Sequence, residues 1–413
     1  MRFRINLYLK LIVFFKAFIS NKKNIKNEII RELRHNSKKK FFNISSQLRI
    51  SFMILLEFLK KENPKKNEII FINYNLPEMV NIAKNLKYKI VFANINIENW
   101  FINPSQISGK ITNNTIAIVL TNMFNNSRDT IKIKNLCKKK KINLIEDNAI
   151  YFDNFVKKNK RKIYSGSFGD YSLYSFNIMK NISALYGGGI SHNSIKFNKF
   201  FSKYEKKLDN FPKIILIKQL IIFFVLKVFS NNFFYKYFFF WIVNYSHKKN
   251  LKNILKLFYP SLKFKIIKFP KYYFSKISKL SLKLIYFQLS DKKQRRYNHN
   301  TRLKNNNLYL KLFKKKKIIG IKYPKITEKN YQNFIDFPIM VKNKENFLNF
   351  MLNHKIELRS YYYQDCRRIF YNEKSDKFED NIVCLPNHKK IDKKYIIKIV
   401  NKINDYSLLN VNN

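Results

Sequence analysis

A lysine amine can attack a carbonyl and afterwards carry a proton, provided the chain holds it beside the groups it must serve. With 82 Lys and Arg residues in the chain, no single lysine draws notice by itself. Lys180 does so by its setting, the stretch YSGSFGDYSLYSFNIMKNISALYGGGISH at residues 164–192. That stretch holds five of the chain's seven glycines: Gly166, Gly169, Gly187, Gly188 and Gly189. A sequence that elsewhere avoids glycine keeps it where the backbone needs positive φ or must pass close to another group. A strand-like run at 171–176 leads to the lysine, and Asp147 closes an apolar run at 142–146. Ligands of open α/β sheets gather at the carboxyl ends of strands. Taken alone, an acid at a strand end is also an ordinary cap or turn residue.

The elements that must position these residues alternate. A helical stretch at 47–61 places Ile50, Met53, Ile54 and Phe58 at helical spacing. Strand-like runs follow at 69–73, 89–93, 116–121 and 142–146, with helical stretches at 77–87 and 130–140 between them. Ile-, Leu- and Val-rich strands alternating with helices predict a mainly parallel sheet covered on both faces. After residue 275 comes a polar helical stretch at 290–313, then a strand at 336–341, a helix at 344–354, a strand at 355–359 and a last helix at 392–405. That series predicts a small α+β domain. The division expected is an N-terminal arm at 1–40, a large domain at 41–275 and a small C-terminal domain at 276–413.

Two segments stand apart. Residues 1–18, MRFRINLYLKLIVFFKAF, are interrupted by Lys10 and Lys16, which makes the apolar run too short and too charged for a membrane span. It has no small-residue cleavage site after an apolar core, and an amphipathic helix packed on the body is expected. Within 205–262, the runs FPKIILIKQLIIFFVLKVF and FFYKYFFFWIVNY are strongly apolar and aromatic, with isolated lysines. Each falls short of about 20 clean apolar residues. Two helices forming a patch are expected there, with a membrane surface and a partner copy as the alternatives it would face.

Composition excludes several classes. The formal net charge of +56 invites polyanion binding by counterion release, but the lysines are spread along the chain and no zinc-finger or ribonucleoprotein signature appears. Lys, Asn, Ile, Phe and Tyr are inflated together while Ala, Arg, Gly and Pro are scarce, the pattern that A+T-rich codon usage produces. Specific nucleic-acid binding is therefore not expected. Cys137, Cys366 and Cys384 are too few and too scattered for a disulfide framework or a zinc site. The six histidines include no HExxH pair, and no metal site is expected.

The Lys180 segment resembles the cofactor-lysine segment of the DegT/DnrJ-type sugar aminotransferases, which depend on pyridoxal 5′-phosphate (PLP). The matching residues are Gly169-Asp170, Ser175-Phe176, Lys180-Asn181 and a Gly-Gly turn at Gly187-Gly188. The likeness extends over about 40–405. It takes in Ser45-Ser46-Gln47 before the first helix, Glu146-Asp147, an Arg-x-x-Asn helix (Arg295 and Asn298, or Arg302 and Asn305), Ile356-Glu357-x-Arg359 and Leu385-Pro386.

The resemblance implies an α/β chain with a PLP fold-type-I large domain, a small C-terminal domain and a homodimer. Lys180 would bond to the cofactor and then move a proton. Asp147 would hold the charge of the cofactor's ring nitrogen. Ser46, Gln47 and Ser175 would meet its phosphate, and Tyr74 is the aromatic nearest the position expected to stack on its ring. Departures accompany these matches. The family's Ser-Gly-Thr phosphate turn is Ser-Ser-Gln here, its Gln or His three residues after the aspartate is Ile150, and its stacking position falls near Leu76. The implied function is a cytoplasmic aminotransferase that converts a keto-sugar nucleotide to an amino sugar for surface polysaccharide, with glutamate as donor. The rival expectation is a catalytically degenerate PLP-fold protein bound to a membrane surface or a polyanion.

Overall fold

The computed structural model of the chain describes all residues except 5, 97, 99, 124–126, 151, 153, 159–160, 252–253, 255–268, 325–334, 361–362, 374–376 and 412–413. Helices α1 (Leu11–Ile19) and α2 (Ile25–Ser37) precede strand β1 (Phe41–Ser45) and helix α3 (Leu48–Glu62). Then follow β2 (Glu68–Ile72), α4 (Pro77–Asn85), β3 (Lys89–Ala93), β4 (Thr115–Thr121), α5 (Ser127–Lys140) and β5 (Asn143–Asp147). Strands β6 (Tyr171–Ser175) and β7 (Gly188–His192) complete a seven-stranded sheet in the order β1-β7-β6-β5-β4-β2-β3. From β3 to β6 the pairs are parallel, and β7 runs antiparallel to both β6 and β1.

Period-two alternation explains why this sheet is covered on both sides. In β2, Ile69 and Phe71 enter one core cluster and Ile70 and Ile72 enter another. Strand β4, TIAIVLT, is buried at every position. Helix α3 is buried along most of its length and lies against β1, β6 and β7. Its sequence LRISFMILLEFLKKE reaches the surface at the last turn, where Lys60, Lys61 and Glu62 are exposed.

Helix α6 (Ile195–Lys206) leads into the apolar region. There α7 (Lys213–Phe229) is joined through a short helical turn and a π-helical turn (Tyr235–Phe239) to α8 (Phe240–Lys248). The rest of the expected insertion, at 252–253 and 255–262, lies outside the described residues. Helix α9 (Lys279–Ser290) receives α1 and α2 on its surface. The long α10 (Lys292–Lys316) then leads to a four-stranded sheet built from β8 (Ile321–Lys322), β9 (Phe337–Val341), β10 (Arg359–Ser360) and β11 (Ile382–Leu385). Helices α11 (Lys344–Asn353) and α12 (Lys393–Val411) accompany that sheet. Tyr309 and Phe313 of α10 share one apolar cluster with β2, β4 and the smaller sheet.

Two expectations change. The strand placed at 355–359 begins only at Arg359, because Lys355 turns with φ of 62° just after α11 and Ile356 enters the core from a loop. The Gly-Gly turn at Gly187-Gly188 is not a turn: Gly188 and Gly189 lie inside β7. Their φ angles are not positive; among the glycines only Gly166 and Gly320 have φ > 0. Close approach explains them instead. A Cβ on Gly188 would fall 2.0 Å from the backbone nitrogen of Leu48, and one on Gly189 would fall 2.4 Å from the Phe42 ring.

Candidate active site

The contact that Gly188 permits sets the start of α3 against the end of β7. Inside α3 the backbone bonds begin at the Ile50 N–H, which donates to the Gln47 carbonyl at 3.2 Å. The N–H groups of Leu48 and Arg49 are therefore left at the helix mouth, as helix geometry requires. Leu48 and Arg49 both line a cavity of about 420 Å³.

The same cavity receives Asp147 from the end of β5, Ser175 from the end of β6, and Lys180 from the loop between β6 and β7. That loop is held at both ends and in the middle. The Phe176 N–H donates to the Gly187 carbonyl at 2.9 Å and the Ala184 N–H to the Phe176 carbonyl at 2.6 Å. Gln288 of α9 clasps Ser183, accepting from its N–H at 3.0 Å and donating to its carbonyl at 2.6 Å. Next to the lysine, Asn181 donates to the Phe152 carbonyl at 3.0 Å and accepts from Arg302 at 3.0 Å. Arg302 is buried and also donates to the Tyr8 hydroxyl, whereas Arg295 pairs with Glu32 at 2.9 Å. Of the two Arg-x-x-Asn registers, the one starting at Arg302 is thus the one that braces the lysine loop.

Asp147 is nearly fully buried and accepts the Ala149 N–H at 2.9 Å. Burial pushes its carboxyl above the ordinary range, while the Ala149 bond and the charges of Lys180 and Arg49 pull it back. A buried carboxylate in this state gains from a cation placed beside it. Its sequence neighbour Glu146 does different work. Glu146 accepts the backbone N–H groups of Gly166, Phe168 and Gly169, and so shapes the turn before β6. The first glycine cluster therefore serves Glu146: a Cβ on Gly166, at φ of 93°, would collide with the Tyr174 hydroxyl.

The structure brings Lys180, Asp147 and Ser175 together and sets the other expected site residues behind the wall. Ser46 is fully buried, and its hydroxyl donates to the Tyr273 carbonyl at 3.0 Å. Gln47 is buried at the cap of α3 and accepts from Arg49 at 3.2 Å. Tyr74 packs edge-on to Phe378 at 4.9 Å, while Leu76 and Ile150 face the cavity.

To other lining residues the sequence assigns no site role, although Arg359 belongs to the Ile356-Glu357-x-Arg359 match. Arg49 is held by an ion pair with Glu78 and lies 5.8 Å from the Tyr273 ring centre. Arg359 pairs with Asp336 at 2.9 Å. Burial raises the Asp336 carboxyl, and Arg359 opposes the rise. Gln219, Ile222 and Leu226 of α7 form a further stretch of wall. A parallel-sheet cavity with a lysine, a buried acid and a helix N-terminus converging on it gives the architecture of PLP fold type I.

Residues 50–204 match the sequence profile of the DegT/DnrJ/EryC1/StrS aminotransferase family. That segment is less than half of the chain, and it contains Asp147, Ser175 and Lys180. A GDP-perosamine synthase of Escherichia coli O157:H7 is 33% identical over 127 residues, which are 31% of this chain and 34% of that protein. The chain thus matches about a third of the length of that curated relative. The whole fold is similar to Helicobacter pylori PseC, an aminotransferase involved in pseudoaminic acid biosynthesis. There the TM-score is 0.68 at 16% identity, over 95% of this chain and 94% of that one. It is also similar to the apo-form of the putative sugar aminotransferase Spr1654 from Streptococcus pneumoniae. That TM-score is 0.71 at 13% identity, over 100% of both chains. At these identities the likeness speaks for the fold. Among the described residues, no group of three or more His, Cys, Asp or Glu side chains could hold a metal ion, and Cys137, Cys366 and Cys384 are buried and free.

Proposed function

We propose that the chain is a PLP-dependent aminotransferase that converts the carbonyl of a keto-sugar nucleotide to an amine, with glutamate as donor, for surface polysaccharide. The observation that carries the reading is the convergence of Lys180, Asp147 and the open N-terminus of α3 on one cavity. These residues fit the cofactor. The backbone cradle at Leu48 and Arg49 suits a phosphate, and Ser175 adds a hydroxyl beside it. Asp147 offers a buried negative charge whose cost a protonated ring nitrogen would offset. Solved structures of Spr1654 in PLP and PMP forms show that this fold takes such a group in that protein.

When bound, the cofactor supplies an electron sink at the reacting carbon. Lys180 supplies the amine that attaches it and carries a proton to and from that carbon. Arg49 and Arg359 present guanidinium groups to the cavity, suited to carboxylate or phosphate oxygens of the reactants. Leu76, Met79 and Ile150 add apolar wall to the cavity beside these charged groups. A homodimer in the cytoplasm, with the domain division at 40 and 275, belongs to the same reading.

The test is the visible absorbance of the purified protein with PLP, before and after glutamate. A band of lysine-bound cofactor that glutamate converts to the amine form supports the reading. A band indifferent to glutamate rejects the donor. No band rejects the reading in favour of a fold kept without its chemistry, to which Ile150 at the cavity wall would belong.

A further inference from the structure

The apolar helices have two faces, and only one of them is packed. Phe223 and Leu226 of α7 are buried against the body, while Ile214, Ile217, Ile221, Val225 and Val228 are exposed along a stripe spaced three or four residues apart. Helix α1 extends the stripe. Its Phe14 packs on Phe223 and Phe224 at 6.0 and 5.4 Å between ring centres, and its Phe18 and Ile19 stand 73% and 75% exposed. On the other side, Phe229 meets Phe239, and α8 and the turn before it expose Phe234, Tyr237, Phe238 and Trp241.

A contiguous apolar surface of this extent marks a partner or a membrane. Charge decides between them. Residues 210–290 contain no Asp or Glu, and α1 and the residues before it contain none either. Exposed lysines are threaded through the stripe at Lys16, Lys213, Lys218, Lys236, Lys248 and Lys249. A second copy would bring the same lysines and another +56 of charge, with no acid on the matching face to meet them. Anionic lipid headgroups meet such lysines, whose stems snorkel past the apolar side chains.

Among the described residues no single helix is long and apolar enough to cross a membrane, and the segments Lys213–Phe229 and Asn232–Lys248 are bent by 69°. Only as a bent pair do the two reach the length and apolarity of a span, and each keeps one face packed on the body through Phe223 and Leu226 or Phe240 and Val243, as a surface lying in the plane of an interface does. We infer that the face formed by α1, α7 and α8 seats the protein on an anionic bilayer. Because Gln219, Ile222 and Leu226 of the same α7 line the cavity, the cavity wall on that side lies at the membrane.

Flotation of the full-length protein tests this with vesicles of phosphatidylcholine mixed with phosphatidylglycerol, and with phosphatidylcholine alone. The protein is expected to rise with the anionic vesicles, and several-fold less with the neutral ones or in high salt. The chain has two tryptophans, and Trp100 is buried while Trp241 is exposed. In a Trp100→Phe protein the emission should therefore shift to the blue on adding anionic vesicles. Combined Phe18→Ser, Ile221→Ser and Phe238→Ser should lower flotation about tenfold or more while leaving circular dichroism unchanged. Protein that stays at the bottom with both vesicle types overturns the inference. So does a dimer that shields Trp241 before vesicles are added and is lost in the triple variant. The absorbance test with PLP needs no vesicles, so failure of one reading is seen separately from failure of the other.

Discussion

At Gly188 the backbone of β7 runs so close to the start of α3 that a Cβ would fall 2.0 Å from the Leu48 nitrogen. At Ile221, on α7, a whole isoleucine side chain is 58% exposed. The two positions show how differently one chain is constrained. Around Lys180, backbone meets backbone, and only the smallest residue allows the phosphate-type cradle and the lysine loop to form side by side. On α7 the outward positions are about half exposed, yet most of them hold Ile, Phe and Val, with Lys213 and Lys218 between them. Packing dictates the first region; a partner outside the chain would dictate the second.

The largest effect should come from the lysine itself. Lys180→Ala is expected to lower turnover by about three orders of magnitude and to remove the visible band that PLP gives with the wild type. Its circular dichroism should change little, because the backbone of the loop is held by Phe176, Ser183, Asn181 and their partners. A variant that loses the band but keeps full activity would break the comparison by making the packed region structural only.

Next comes the glycine. Gly188→Ala must push apart two backbones, since the atoms within 2.6 Å of the added carbon are those of Gln47 and Leu48. A loss of about 4 kcal/mol is expected in urea unfolding, with PLP binding weakened alongside. Gly109→Ala is the matched control. Its φ is −69° and the only neighbour within 4 Å is the Ser105 carbonyl at 3.9 Å. It should be neutral or stabilising by up to about 1 kcal/mol. Equal effects at the two sites would sink the close-approach account.

Protons offer a third probe of the packed parts. His192, in β7, is bonded through Nε2 to Asn43 at 2.6 Å, and burial lowers it to about 4. His388 is buried with Nε2 beside the Phe3 carbonyl at 3.1 Å, while its Nδ1 accepts the Lys390 N–H at 3.3 Å. Burial lowers it to about 3. Both are neutral when folded and take up protons more readily when unfolded, near the ordinary value of 6.5. The unfolded chain thus binds more protons below that value, and stability falls with falling pH. A loss of about 3 kcal/mol from the two together is expected between pH 6.5 and about pH 5. His192→Gln and His388→Gln should each flatten the slope of the urea midpoint against pH. A midpoint that rises as the solution is acidified would reverse the sign of the argument.

Much of this packed region is legible in the sequence, for a physical reason. Parallel strands buried on both faces need unbroken apolar runs, so 89–93 and 116–121 can be read within a residue of their bounds at Lys89–Ala93 and Thr115–Thr121. The lysine, the acid and Ser175 follow from spacing against those strands. Strand β7 cannot be read the same way, because a glycine pair signals a turn when only local preferences are weighed; the steric demand that keeps it comes from α3, some 140 residues earlier in the chain. Nor can Tyr74 be told from Leu76 as the residue facing the cavity. That choice depends on where Phe378 sits, and Phe378 lies in a distant part of the chain. Helix α7 is apolar on nearly every side, so its pattern does not reveal that Gln219, Ile222 and Leu226 look inward to the cavity.

The smallest effect is the most instructive for α7. In solution, Ile214→Ser and Ile221→Ser should each leave the urea midpoint within about 0.5 kcal/mol of wild type. Both side chains are already more than half exposed, at 59% and 58%, and little apolar area returns to water when they are removed. Phe223→Ser, two residues beyond Ile221 on the other side of the helix and fully buried against Phe14, should cost about 3 kcal/mol or more. The contrast turns mainly on burial, because all three are large apolar residues of one helix. If the exposed isoleucines proved as costly as Phe223 in dilute protein, something already covers them in solution, and a second copy of the chain would be the cover. If they cost nothing without vesicles and matter only with them, their apolar character is kept by a surface the folded chain does not itself provide.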